Sequence, residues 1–108
     1  MDATIVETAW FTRQILDAMD DDDYAEFQWH LVRNPSAGDL IPGGGGLRKI
    51  RWKAPGRGKR GSFRLIYYWA VSEETILMLY MYPKNEREDL RKDQLRQLVD
   101  FVKREYPR

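Results

Sequence analysis

The sequence predicts an α+β domain in which an N-terminal helical hairpin packs on a small, mostly antiparallel sheet that also carries a C-terminal helix. Three observations predict this class. Two segments with helical spacing of apolar residues come first, three aromatic or β-branched runs separated by turn residues follow, and a last helical segment ends the chain. The 108 residues, 43% hydrophobic with 14 aromatic side chains, suffice for one domain spanning 1–108.

The N-terminal third contains a strand and two helices. The β-branched run 3–7 predicts the strand, and Thr8 is a suitable N-cap for a helix to about Met19. Four aspartates at 20–23 end this helix and cap the next, which runs roughly from Asp22 to Arg33 and closes at Asn34. The residues expected to face inward are Phe11, Ile15, Leu16, Met19, Tyr24, Phe27, Leu31 and Val32.

The middle of the chain predicts three strands joined by hairpins, with all helices against one face of the sheet. Residues 36–46 form a loop, 47–53 alternate as a strand, 54–60 turn, and 62–71 and 75–82 are apolar enough for central strands. The pleat of the first strand places Lys49, Arg51 and Lys53 on one face and Ile50 and Trp52 on the other. After a polar loop at 83–88, residues 92–106 predict the last helix, through Leu95, Leu98, Val99 and Val102.

Charge is unevenly distributed along a chain whose net charge is only +1. Residues 1–39 contain nine acidic and two basic side chains, whereas residues 40–72 contain eight basic side chains and no acidic one. Such segregation produces a directed field and predicts an anionic partner for the basic segment. The alternative is that the basic segment is a solvated loop without an anionic partner.

Several classes of site are disfavoured by composition. The absence of cysteine excludes disulfides and thiolate metal sites, and the single His30, which we interpret as a surface residue, excludes a two-histidine nuclease. Most carboxylates lie outside the basic segment, which argues against a carboxylate-held magnesium ion. We therefore expect no metal and no cofactor. No apolar run approaches a membrane span and no signal peptide is recognisable, so the expected location is the cytoplasm, without a membrane partner.

The remaining chemistry is a cationic surface with aromatic side chains. The residues expected to bind RNA phosphates or bases are Lys49, Arg51, Lys53, Arg57, Lys59, Arg60, Arg64, Lys84 and Asn85, with Tyr82 as a stacking face. We expect Tyr67 and Trp69 to lie in the core. The run Ile41-Pro-Gly-Gly-Gly-Gly46 precedes Leu47-Arg48 and a strand, unlike a phosphate-binding loop, and is interpreted as a flexible approach loop.

A cationic site can cleave RNA without histidine or metal, because the ribose 2′-OH is the nucleophile. The protein then has to remove its proton, stabilise the phosphorane and protonate the 5′-oxygen. A lysine crowded by other cations can act as a base, and arginines can clamp the phosphorane oxygens. A passive RNA-binding protein would show the same basic strand, so these residues are compatible with an RNA-cleaving enzyme and with a non-catalytic RNA-binding protein.

Motifs along nearly the whole chain resemble the HigB-like branch of the RelE toxin superfamily. They are the stretch from Ile41 to Trp52, Gly56-Arg-Gly-Lys-Arg-Gly61, Arg64-Leu-Ile-Tyr-Tyr-Trp69, and Tyr82-Pro-Lys-Asn-Glu86 followed by Asp89-Leu90. The resemblance implies a type II toxin that cleaves messenger RNA in the ribosomal A site, leaves a 2′,3′-cyclic phosphate, and is inhibited by an antitoxin, usually a helix-turn-helix protein.

The resemblance also implies roles for individual residues. Lys49 and Arg51 match the basic strand positions, Arg64 the sheet arginine, and Lys84 the loop after the last strand. A tyrosine that better-known members carry near the last helix is replaced by Leu90 or Arg91. The general base is then Lys49 or Lys84, with Arg51 and Arg64 stabilising charge.

Two alternatives use the same fold. A non-catalytic member would bind RNA or an antitoxin and regulate its own operon, as the unfilled tyrosine position suggests. A ParE-like gyrase inhibitor shares the fold class, but the basic set Lys49, Arg51 and Arg64 argues against it.

Overall fold

The computed structural model of the protein describes residues 3–53, 62–83 and 90–107. Within these ranges the chain forms an α+β fold with a five-stranded sheet, which confirms the predicted class. Its elements are β1 (Thr4–Glu7), α1 (Ala9–Ala18), α2 (Asp21–Arg33), β2 (Asp39–Leu40), β3 (Leu47–Lys53), β4 (Ser62–Ala70), a 3₁₀ turn (Val71–Glu73), β5 (Thr75–Pro83) and α3 (Lys92–Glu105).

The strands lie in the order β1-β5-β4-β3-β2. β1 pairs with β5 in parallel, and the other neighbours are antiparallel. The ladder between β4 and β5 shifts register after Ile66, so that Leu79 is an extra residue in β5. The two-residue β2 was not predicted, because a strand of this length has no recognisable periodicity.

The helical hairpin covers one face of the sheet, as predicted. Phe11 and Phe27 are fully buried there against Leu65 and Tyr67, in what we call the first core. Both predicted N-caps are present, since Thr8 Oγ1 accepts from the backbone N–H of Phe11 at 3.2 Å and Asp20 Oδ1 accepts from that of Asp23 at 2.9 Å. These caps fix the start of each helix and its orientation on the sheet.

The C-terminal helix lies on the opposite face, so the expectation that all helices share one face was wrong. Leu98 and Val102 of α3 pack with Ile66, Tyr68 and Leu79 in what we call the second core. The reason is visible in β4, whose odd positions from Phe63 to Tyr67 belong to the first core and whose even positions from Ile66 to Ala70 belong to the second. A strand that is apolar on both faces needs cover on both.

Two single-residue expectations also failed. Leu16 is 71% exposed, because α1 buries only the narrow stripe of Phe11 and Ile15, and a leucine beside that stripe faces solvent. His30 is half-buried, not a free surface residue, since its ring lies 5.3 Å from that of Trp52. Tyr67 is in the core as expected, and Trp69 packs against the same core.

Within the described ranges, none of the three helices is long and apolar enough to span a bilayer.

Candidate functional site

The register of three neighbouring strands brings Arg51, Arg64 and Tyr82 into one row. Arg51 of β3 lies directly opposite Arg64 of β4, and Arg64 lies opposite Tyr82 of β5. Side chains directly opposite in an antiparallel ladder share a face, with Cβ atoms about 4.5–5.5 Å apart. The row, which we call the arginine row, therefore crosses the centre of the sheet and projects two guanidinium groups side by side.

The arginine row lies on the face that also carries α3, beyond the area that the second core covers. Along β3 the side chains of this face go from Leu47, which is fully buried, through half-buried Lys49 to exposed Arg51 and Lys53. The predicted separation of the β3 side chains is confirmed, since Ile50 and Trp52 pack in the first core on the other face. The open end of this face is consequently cationic.

Lys49 lies next to the arginine row and has an acidic neighbour. It pairs with Ile66 on one side and with Asp39 of β2 on the other. Opposite charges directly across a ladder attract, so Asp39 is placed to orient the lysine ammonium. The sequence did not indicate this carboxylate as part of the site, because β2 was not foreseen.

The described part of the chain offers the two arginines no acidic partner. Among the described residues, neither guanidinium takes part in an ion pair, and the buried Arg64 Nε has no hydrogen-bond acceptor. Like charges directly opposite in a ladder destabilise the fold, and a covered donor without an acceptor adds a desolvation cost. An arrangement that is unfavourable on its own becomes favourable when an oxyanion such as a phosphate accepts from both guanidinium groups.

The tyrosines beside the arginine row differ in accessibility. Tyr82 is only 4% exposed, so its ring does not offer the free stacking face that was expected of it. The ring of Tyr80 lies 6.2 Å from that of Tyr82 and is half-buried. Tyr82 is therefore a buried neighbour of Arg64 across the ladder, whereas Tyr80 remains partly accessible.

Tyr67 anchors the segment that leads into β2, a role that the sequence did not reveal. Its hydroxyl donates to the carbonyl of Pro35 at 2.7 Å and accepts from the N–H of Gly38 at 2.9 Å. Burial raises the pKa of the Tyr67 hydroxyl. Arg48 donates to the Gly38 carbonyl at 2.7 Å from the same side of the sheet. These contacts fix the position of Asp39 beside Lys49, and no short-range motif could have indicated them.

The glycine-rich segment is a tight turn, not the flexible loop that was expected. The N–H of Gly44 donates to the carbonyl of Ile41 at 2.9 Å, and the N–H of Leu47 donates to that of Gly44 at 3.1 Å. Gly45 has a φ of 60°, and a Cβ there would lie 3.3 Å from Val99 of α3. The turn thus packs under α3 at the end of β3 opposite to Lys53, away from the arginine row.

Five predicted residues, Arg57, Lys59, Arg60, Lys84 and Asn85, lie outside the described residues. Of the two residues at the expected tyrosine position, Leu90 packs on the second core and Arg91 Nε lies 3.1 Å from Asp93 Oδ1. Neither presents a hydroxyl. In the part of the chain that the structure describes, no three histidine or carboxylate side chains are grouped as metal ligands would be.

Comparisons with known proteins identify a family and a similar fold. The family model of the RelE toxin of the RelE/RelB toxin-antitoxin system matches residues 3–105. Among solved structures, the chain is similar to the free state of an E. coli toxin RelE mutant that has two arginines replaced by alanine. The TM-score is 0.59 at 15% sequence identity, and the match covers 96% of this chain and 98% of that chain. At 15% sequence identity, the structural similarity shows a shared fold and nothing about function.

Proposed function

Because this chain belongs to the RelE family of toxins from toxin–antitoxin systems, we propose that it is a metal-independent endoribonuclease that cuts messenger RNA on the ribosome. The observation that carries the proposal is the arginine row, in which Arg51 and Arg64 face each other without a carboxylate partner among the described residues. Two adjacent guanidinium groups on an open sheet face suit a phosphodiester, whose charge grows as the phosphorane forms.

The proposed reaction is an internal transfer at phosphorus. The 2′-oxygen forms a bond to phosphorus and loses its proton to a general base, while the bond to the 5′-oxygen breaks and that oxygen takes up a proton. The products are a 2′,3′-cyclic phosphate and a 5′-hydroxyl end. Arg51 and Arg64 stabilise the equatorial oxygens, and Lys49 or Lys84 removes the proton. Further phosphates are bound by Lys53, Arg57, Lys59, Arg60 and Asn85.

The proposal includes two macromolecular partners. The ribosome presents the message as an extended single strand and so positions it for reaction. The toxin then has to supply only a few catalytic groups. A cognate antitoxin, of the helix-turn-helix type if the chain belongs to the HigB-like branch, restrains the toxin in the cell. We expect weak cleavage of free RNA, since positioning would then be lost.

Primer extension on a message translated in a reconstituted system tests this function. Cuts are expected only when ribosomes are engaged, and they should disappear with Arg64→Ala. The matched control is Arg13→Ala, which removes an exposed arginine from α1 on the opposite side of the sheet and should leave the cuts unchanged. Intact message in the presence of folded wild-type protein would refute the proposal, and so would efficient cutting of naked RNA.

A second candidate is a non-catalytic member that binds RNA or the antitoxin and only regulates transcription of its own operon. It is favoured by one observation, namely that Leu90 and Arg91 stand where a tyrosine was expected and are engaged with the second core and with Asp93. Expression of Arg64→Ala in cells separates the two functions. Growth inhibition that persists in this variant would exclude catalysis through Arg64 as its cause.

A further inference from the structure

A cavity of about 430 Å³ lies between the start of α1, the end of β5 and one face of α3. Its lining consists of three aromatic rings, two leucines, two amide side chains and one guanidinium. The aromatic and polar members are Trp10, Tyr80, Phe101, Gln94, Gln97 and Arg104. This volume and this mixture of aromatic and convergent polar groups are typical of small-molecule sites.

The aromatic walls are held in place by contacts with the rest of the fold. Trp10 and Phe101 pack edge to face with ring centroids 5.2 Å apart, and the Trp10 indole N–H donates to the carbonyl of Leu79. Leu79 is the extra residue of the β5 bulge, so its carbonyl is turned away from the regular ladder towards α1. Contacts within the fold therefore fix the positions of the Trp10 and Phe101 rings.

The cavity adjoins the arginine row. Tyr80, which forms its inner wall, is two residues from Tyr82, a separation of about 7 Å along a strand. The rings of the two tyrosines are 6.2 Å apart, and Tyr82 lies opposite Arg64 in the ladder. A path along β5 thus leads from the phosphate-binding arginines into an aromatic cavity.

We propose that this cavity binds a nucleobase of the RNA whose phosphate lies on Arg51 and Arg64. The inference rests on the proposed function and adds a base-binding subsite to it. An aromatic wall stacks on any base, and the carbonyl and amino groups of the Gln97 amide match the donors and acceptors of a base edge. Arg104, whose guanidinium lies 6.0 Å from the Phe101 ring, supplies a positive charge for the adjoining phosphate.

The same features weigh against a protein segment as the ligand. A purely apolar side chain or helix would cover the Gln97 amide and the Arg104 guanidinium without offering either of them a hydrogen-bond partner, which is costly. A nucleotide satisfies all three classes of group at once, because it carries a π-face, a polar edge and an anion.

Nuclear magnetic resonance of the wild-type protein with mononucleotides tests the subsite directly. The probes are AMP, GMP, CMP and UMP, and ribose 5-phosphate is the control that lacks a base. We expect at least one nucleotide to shift the Trp10 indole N–H signal, assigned through Trp10→Phe, with a dissociation constant of the order of 1 mM. Ribose 5-phosphate should leave this signal in place.

Variants localise the binding. Tyr80→Leu should weaken nucleotide affinity about ten-fold, within the range of about 5- to 150-fold that corresponds to the loss of one base–aromatic stack. Gln97→Ala should weaken it less and change which base is preferred. Arg96→Ala, an exposed neighbour on α3 that does not line the cavity, should have no effect.

Two results would overturn the subsite. One is an unmoved Trp10 signal with all four nucleotides at tens of millimolar, and the other is an equal shift with ribose 5-phosphate. If the protein cuts ribosome-bound message but no nucleotide reaches the cavity, the subsite is refuted and the proposed nuclease stands. If nucleotides bind at Trp10 while no message is cut, base binding is supported and the nuclease function fails.

Discussion

Replacing Arg51 by glutamine should stabilise the fold while it removes activity. Arg51 lies directly opposite Arg64 in the ladder, and among the described residues no carboxylate pairs with either group. Arg51 is exposed, so Arg51→Gln removes one charge of the pair without opening a cavity. The remaining Arg64 then no longer faces a like charge, and the folded state gains what the repulsion had cost.

The size of the gain follows from the geometry. Directly opposed side chains in a ladder interact by about 0.2–1 kcal/mol, and for two like charges the sign is unfavourable. For a domain of this size, 1 kcal/mol corresponds to a change of about 4–8 °C in Tm. Arg51→Gln should therefore raise Tm by about 1–8 °C at low ionic strength.

Thermal unfolding followed by circular dichroism at low and high salt measures this effect. The gain should shrink as salt rises, because exposed charges are screened. Lys53→Gln is the matched control, since Lys53 lies on the same strand face but opposite the neutral Ser62, and it should give no comparable increase. A Tm that falls in Arg51→Gln, or a gain that is equal in Lys53→Gln, would refute the argument that the arginine row is electrostatically strained.

Three further predictions follow from other contacts. Tyr67→Phe removes the hydroxyl that bonds Pro35 and Gly38 and should lower the free energy of unfolding by about 1–3 kcal/mol in urea titrations. Because burial raises the pKa of the Tyr67 hydroxyl, the neutral hydroxyl stabilises the fold below about pH 10. As the pH rises above that value, the wild type should lose stability more steeply than the variant. Gly45→Ala should destabilise more than Gly43→Ala, because both have positive φ (about 1–2 kcal/mol each) but only the Gly45 position meets Val99; equal losses in urea would contradict this packing. Arg64→Ala should lower the slope of log affinity against log salt for single-stranded RNA by about 0.7, and an unchanged slope would show that Arg64 contacts no phosphate.

Local patterns in the sequence predicted most elements of this fold. The caps at Thr8 and Asp20 and the alternation along β3 depend on neighbouring residues only, and each was recovered. Leu16 was misassigned because helical spacing marks a stripe without giving its width, which depends on what packs against it. The placement of α3 on the opposite face could have been predicted from the sequence, because β4 is apolar on both faces.

The site was less accessible to sequence reasoning than the fold. Lys49, Arg51 and Arg64 were recognised as basic residues, but their arrangement depends on the register between β3 and β4, which is a non-local property. Asp39 was missed because a two-residue strand has no periodicity, and Tyr67 because its hydrogen bonds join residues about 30 positions apart. Tyr82 was chosen for stacking on its position in the chain, yet its burial depends on the neighbours that the fold supplies.

The central claim is that the arginine row promotes attack by a ribose 2′-OH on ribosome-bound message. The most direct measurement is single-turnover cleavage of a programmed ribosome whose message carries one 2′-deoxynucleotide on the 5′ side of the cut. We predict that wild-type protein cuts the all-ribose message to a 2′,3′-cyclic phosphate and leaves the substituted site intact, and that the double variant Arg51→Ala/Arg64→Ala cuts neither. Cleavage at the 2′-deoxy site, or a double variant as fast as wild type, would contradict the claim.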